Sequence, residues 1–238
     1  MVRLPRWGCD GMITSAQKLL MARAGAGGGG GGGGSGIQHL GSVTKSGADV
    51  GVWNSSAEAL DVLSIASPGD LVVIAFSFSR GGRNVRWEGM SFSNIYNQSS
   101  QSDPGWFVGY RFVQAGDANP WNDHDDEYWE GLSVVASVFR GVSSFVNSAV
   151  AFANIGMPNP PSLTASGGLW IATGHLDDDP VTMTAPVGWE LSGAEDRSGS
   201  QSSSTAIAYK IAEQTSDDPG GFGGGGNDVW RAVTAVFD

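Results

Sequence analysis

Leu71-Val72-Val73-Ile74-Ala75-Phe76-Ser77-Phe78 is the stretch that decides the fold. It starts as a continuous run of apolar, largely β-branched residues and closes in alternation, and the turn-forming Ser67-Pro68-Gly69-Asp70 leads into it. β-Branched and aromatic side chains suit a pleated, buried surface, whereas Pro-Gly-Asp punctuates a chain rather than continuing an element. The same character recurs in Leu132 to Phe139, Leu169 to Thr173, Thr205 to Ile211 and Val229 to Phe237. Arg80-Gly81-Gly82-Arg83, Asp103-Pro104-Gly105 and Asp217-Asp218-Pro219-Gly220 stand between such runs as turn signals. No helix-period segment of useful length follows residue 36, and the long Ser/Gly/Asn/Asp stretches read as surface loops. Short antiparallel strands need a second sheet over their apolar face. The sequence therefore predicts an all-β protein, an antiparallel two-sheet jelly-roll-like sandwich.

Working outward, the pattern repeats. Pro68-Gly69-Asp70-Leu71-Val72-Val73-Ile74-Ala75 lies over Ser166-Gly167-Gly168-Leu169-Trp170-Ile171-Ala172-Thr173. Gly109-Tyr110-Arg111-Phe112-Val113-Gln114 matches Ala208-Tyr209-Lys210-Ile211-Ala212-Glu213, and Pro120 and Pro219 follow the two tyrosines at the same distance. The closing runs end in Phe139 and Phe237, and Trp87 or Trp189 sits between the first and second strand of each copy. Copies at about 68–141 and 166–238, of about four strands each, predict one eight-stranded sandwich with an internal duplication. Tyr110 and Tyr209 should then occupy equivalent strands, as should Phe139 and Phe237.

Ahead of this body lie two other zones. Residues 1–24 form an arm, and residues 25–36 form a tether with a run of glycines from Gly27 to Gly34. Ordering a glycine loses more backbone entropy than ordering any other residue, so the run reads as a flexible spacer. In the arm, Thr14 or Ser15 is placed to cap a short helix through Arg23, with Leu19 and Leu20 on one face. A lone helix of that length needs a partner surface, which makes the arm a candidate docking peptide. Gly11, Thr14, Ser15, Gln17 and Lys18 interrupt the apolar core that a cleaved leader requires, so the arm is expected to stay.

Composition removes several functions. The net charge is −11 with 24 acidic and 13 basic residues, the opposite of a nucleic-acid footprint. No apolar stretch reaches membrane-spanning length. Cys9 is the only cysteine, so an intrachain disulfide is impossible. His39, His124 and His175 fall in separate segments without metal-ligand spacing, and no nucleophile elbow, P-loop or zinc-protease motif occurs. The expectation is a protein without catalytic activity.

Two candidate sites remain. The loop Asp117-Ala118-Asn119-Pro120-Trp121-Asn122-Asp123-His124-Asp125-Asp126-Glu127 packs oxygen ligands as calcium requires, with Asp117, Asn119, Asp123 and Asp125 as the ligand set. The plain alternative is a solvated acidic turn. Trp106, Trp121, Tyr128 and Trp129 lie in or beside loops near carboxylates, a surface suited to stacking a sugar or anchoring an interface. The plain alternative is a set of core plugs closing the sandwich.

The body resembles a family of phage virion proteins. The resemblance rests on Pro68 to Phe76, Pro186-Val187-Gly188-Trp189, Ala208 to Ala212, and Asp218-Pro219-Gly220-Gly221-Phe222 with Trp230-Arg231-Ala232. It covers roughly residues 40–238. It implies a virion surface protein of a tailed phage, foremost a tail fibre or tail-associated receptor-binding component. Capsid decoration, a head spike, or a free carbohydrate-binding module are the alternatives. Its implied partners are other virion proteins through the arm, further copies of the chain, and a host-surface glycan. The long glycine run and the residues ahead of Met12, a candidate alternative start, depart from that pattern.

Overall fold

The computed structural model describes residues 36–47, 56–79, 85–98, 105–122, 131–177, 180–197 and 202–238. Leu19 and Leu20 of the arm, and Asp123, Asp125, Tyr128 and Trp129 of the acidic segment, lie outside the described residues.

The strands in chain order are β1 (Gln38–Gly47), β2 (Leu71–Phe78), β3 (Trp87–Glu88), β4 (Ser93–Gln98), β5 (Gly105–Phe112), β6 (Trp121–Asn122), β7 (Leu132–Arg140), β8 (Phe145–Ala153), β9 (Leu163–Asp177), β10 (Glu190–Arg197), β11 (Ser203–Asp217) and β12 (Trp230–Phe237). Two antiparallel five-stranded sheets form, in the orders β1-β7-β2-β5-β4 and β8-β12-β9-β11-β10, with β3 and β6 as a two-stranded ribbon. The fold is the expected all-β, two-sheet sandwich. Each copy contributes one whole sheet, in the same strand order.

Register carries the duplication to single residues. Leu71 lies opposite Phe112 and Phe139, and Leu169 lies opposite Ile211 and Phe237. Tyr110 pairs with Val73, as Tyr209 pairs with Ile171. The irregularities coincide too. β1 skips Leu40 between His39 and Gly41, and β8 skips Val146 between Phe145 and Asn147. β4 skips Ile95 and β10 skips Ser192 at matching places. Over the strand lengths common to both, the two copies thus share pairing, register and these bulges, whereas β9 and β11 pair on past Ile211 with two further irregularities.

The repeat is longer than the sequence predicts. β1 and β8 open the two copies, giving five strands per sheet where about four per copy were expected. Their strand signal is weak: β1 carries Gly41, Lys45 and three glycine or serine neighbours, and β8 is rich in alanine with Asn147. Pairing with β7 and β12 makes them strands.

Three apolar layers result. Between the sheets, Leu71, Val73, Val108 and Phe139 meet Leu169, Ile171, Tyr209, Val233 and Phe237. On the outer face of the first sheet, Val72, Ile74, Phe76 and Val138 are covered by Leu60, Val62, Ala66, Val85 and Met90. On the outer face of the second, Trp170, Ala172, Ala208 and Val236 are covered by Met183, Trp189 and Phe222. Several stretches read as surface loops are therefore lids. Trp87 and Trp189 belong to these outer layers, and Trp87 packs edge-on against Phe76 and Phe92. Burial on both faces explains why β2 reads as a continuous apolar run from Leu71 to Phe76.

The Pro68-Gly69-Asp70 turn also gains a reason. Gly69 adopts φ +95°, and the Asp70 carboxylate accepts hydrogen bonds from Ser67 N and from Arg140 Nε and Nη2, at 2.8–2.9 Å. That pins the start of β2 to the end of β7.

Close packing makes one glycine indispensable. Gly105 lies opposite Phe78 in the β2–β5 pairing, and a Cβ there would fall 1.6 Å from Phe78 Cζ. Phe78 is fully buried and has nowhere to swing. Gly105→Ala should therefore lower stability by about 1–3 kcal/mol in chemical denaturation. Phe78→Leu in the same background should recover part of the loss. An unchanged denaturation midpoint in Gly105→Ala would show that the ring has room after all.

Candidate functional site

The sandwich has two chemically different poles. At one, two ring triads form, His39 with Phe139 and Tyr209, and Phe145 with Tyr110 and Phe237. The chain enters the head here at Gly36, beside Gly141, and Asp238 ends here, exchanging backbone hydrogen bonds with Ser144. At the other pole the inter-sheet space turns polar. Ser77 Oγ lies 2.8 Å from Ser133 Oγ and 2.5 Å from Thr205 Oγ1, and Ser133 Oγ lies 3.0 Å from Ser203 Oγ. β4 and β9 end at this pole, and β5, β7 and β11 begin at it. The segment that holds Asp123, Asp125, Tyr128 and Trp129 leads into β7 here.

His175 lies in this polar interior, fully buried, with Nδ1 3.3 Å from the Ser204 carbonyl and its ring stacked on Trp106 at 6.3 Å. Desolvation pushes its pKa from 6.5 down to about 3; the Ser204 hydrogen bond opposes that shift and the Arg231 charge adds to it. Arg231 itself is held by Gln98 Oε1 at 3.1 Å and lies over the Phe152 ring.

Along one side, the edge strands β1 and β10 are clasped across the two sheets. Ser42 Oγ donates to the Ser192 carbonyl at 2.6 Å, Ser46 Oγ to Glu195 Oε1 at 2.7 Å, and Arg197 Nε to the Gly47 carbonyl at 2.8 Å. A cavity of about 410 Å³ opens on this seam, lined by Ser42, Thr44, Thr182, Ser192, Glu195 and Asp196 among others. The Ser42, Thr182 and Ser192 hydroxyls already donate inside the seam, to the Ser192 carbonyl, Asp196 Oδ2 and Ser137 Oγ. The β10 bulge directs Ser192 inward, with Oγ 2.7 Å from His39 Nε2. That is the length of a nucleophile–base contact, yet Ser192 Oγ donates to Ser137 Oγ at 2.7 Å. Glu190, the carboxylate nearest the imidazole in charge effect, accepts from Tyr209 OH at 2.6 Å. The arrangement is that of a clasp. Neither His39 nor Ser192 stood out in the sequence as a site, because only the meeting of β1 with β10 brings them together.

The described members of the predicted sites have other tasks. Trp106 is a correction: it is fully buried on β5, inside the inter-sheet layer, and offers no face for a sugar. Alternation along β5 turns Trp106 inward with Val108, which the loop-like flanking sequence concealed. Trp121 is half-buried in β6, paired with Glu88 in the ribbon. Asp117 already faces a cation, since Arg111 Nε and Nη2 donate to its two oxygens at 3.1 and 2.9 Å and Gln114 N donates at 2.8 Å. Arg111, together with the Gln114 amide, holds the Asp117 carboxyl below the usual range. Asn119 accepts from Leu63 N at 2.8 Å and donates to Asp61 Oδ1 at 3.1 Å, tying the loop to the β1–β2 crossover. Both residues thus act as struts for the loop.

Comparison of the chain with protein-family models, with curated proteins and with solved structures finds no match.

The buried imidazole gives the protein a definite acid response. Between pH 6.5 and about 3 the unfolded chain binds a proton at position 175 that the folded chain refuses. Stability should therefore fall as pH drops through that window, by up to about 1.4 kcal/mol per pH unit. His39, whose pKa burial also lowers, acts in the same direction. Denaturation midpoints measured from about pH 7 to 4 should fall steeply for the parent and less steeply for His175→Gln. The losses at lower pH, as Asp70 and Asp117 protonate, should remain in both. Parallel profiles for parent and variant would remove His175 from this role.

Proposed function

We propose that the chain is a surface protein of a tailed-phage virion, foremost a tail fibre or tail-associated receptor-binding component. In this reading the arm, residues 1–24, docks on the particle, the tether, residues 25–36, spans the gap, and the sandwich head is displayed outward. The observation that supports it most is the polarity of the head. The chain enters at the aromatic pole beside its own C-terminus, while the segment rich in carboxylates and aromatics leads into β7 at the opposite pole. A tether attached at one pole leaves the other free to meet a host surface.

The apolar layers lend a second support. Among the described residues they are built from Ile37 onward. A protein arranged this way separates attachment from display. A capsid decoration or head spike would use the same design with a different docking partner. A free carbohydrate-binding module would leave the arm and tether without a task.

Removing residues 1–24 should leave the head soluble, with the melting temperature of the full chain, and should abolish its incorporation when it complements a phage lacking the gene. Cryo-EM of particles carrying the full chain should show its density on the tail, and density on the capsid would select the decoration role. If the truncated chain unfolds, or still assembles into particles, the division into anchor and head is wrong.

A further inference from the structure

The duplication supplies an internal reference for each edge of the sandwich. β1 and β8 are equivalent first strands, each at a sheet edge and each with its bulge at the same place. β1 is covered: Ser42, Val43, Thr44 and Lys45 are buried, β10 clasps it, and Lys45 Nζ reaches Glu58 Oε2 at 2.7 Å. β8 is not. Val150 and Phe152 lie opposite Val233 and Arg231, yet they are 39% and 69% exposed, and Val146 and Ile155 are 40% and 67% exposed. Among the described residues no strand pairs with the outer edge of β8.

Such an edge presents a row of backbone donors and acceptors, and folded proteins usually blunt it with charge, proline or a covering segment. β8 contains neither proline nor an ionisable side chain, and none of Asp, Glu, Lys, Arg or His occurs from Gly141 to Gly174. β10, the other edge of the same sheet, carries Glu190, Glu195, Asp196 and Arg197. β4, the free edge of the first sheet, is uncharged too but polar, with Ser93, Asn94, Asn97 and Gln98. In a chain of net charge −11, β8 is thus the apolar edge on which two copies meet without like-charge repulsion along the strand. A basic partner finds no carboxylate on this strip, which disfavours the chain's own arm with Arg3, Arg6, Lys18 and Arg23. A second copy brings the same uncharged, apolar edge. An antiparallel strand pairs with itself about a twofold axis, so one patch satisfies both partners.

We propose that β8 is a self-association edge, on which two copies of this chain pair antiparallel and join their second sheets into one continuous sheet. The proposal does not depend on where the head is displayed.

Sedimentation equilibrium of the full chain over a concentration series tests it. The expected mass is twice 24.6 kDa, and amide exchange across residues 145–153 should quicken on dilution. Val150→Lys with Phe152→Lys should weaken association at least about tenfold, with unchanged circular dichroism. Asn147→Glu, at an exposed polar position, should do the same without removing an apolar side chain, which guards against misfolding of the first variant. A full chain that stays monomeric throughout overturns the proposal, as does a dimer that both variants leave intact. If deleting residues 1–35 turns a monomer into a dimer, the arm is the native cover of β8 and a second copy is not.

Discussion

Both sheets of this protein are buried on both faces, and that constraint governs the rest of the architecture. A sheet with one wet face needs apolar residues only at alternate positions, whereas β2, β7 and β12 are buried almost along their length. The crossovers must then be more than connections. They bring Leu60, Val62 and Met90 over one sheet, and Met183, Trp189 and Phe222 over the other. The tight approach of layers also fixes small residues: a Cβ at Gly193 would meet Val135 Cγ1 at 2.9 Å and Ser42 Oγ at 3.0 Å, where β10 crosses β1 and β7.

Within the inter-sheet layer, chemistry changes from pole to pole. Phe139, Tyr209 and Phe237 gather where the chain enters and ends, and hydroxyls with His175 gather at the opposite pole. Apolar rings supply the non-directional part of the association between sheets. The Ser77–Ser133–Thr205 contacts are directional and fix how the second sheet sits on the first.

The duplication is close in pairing and loose in finish. Register and bulges agree over the strand lengths common to both copies, but Arg140 and Asp70 pin only the first copy, since Phe237 is followed by Asp238 and position 168 is Gly168. The side formed by β1 and β10 is clasped by hydrogen bonds, whereas β8 keeps Phe152 and Val150 exposed. Equivalent strands have acquired different surroundings, and the uncharged β8 edge is where the symmetry breaks most plainly.

The sequence by itself determined the class of fold and the existence of the repeat. Period-two and continuous apolar runs report burial directly, and Tyr110 with Tyr209, or Phe139 with Phe237, recur because their cross-strand neighbours recur. Tertiary structure alone decided where the weak strands β1 and β8 belong, because pairing with β7 and β12 overrides the poor strand preference of their glycine, serine and alanine. It alone turned Trp106 inward and engaged Asp117 with Arg111, since direction and partners depend on alternation and on residues brought close by folding. The Ser192–His39 clasp was hidden for the same reason. Its members stand 153 positions apart, and only the packing of two sheet edges makes them neighbours.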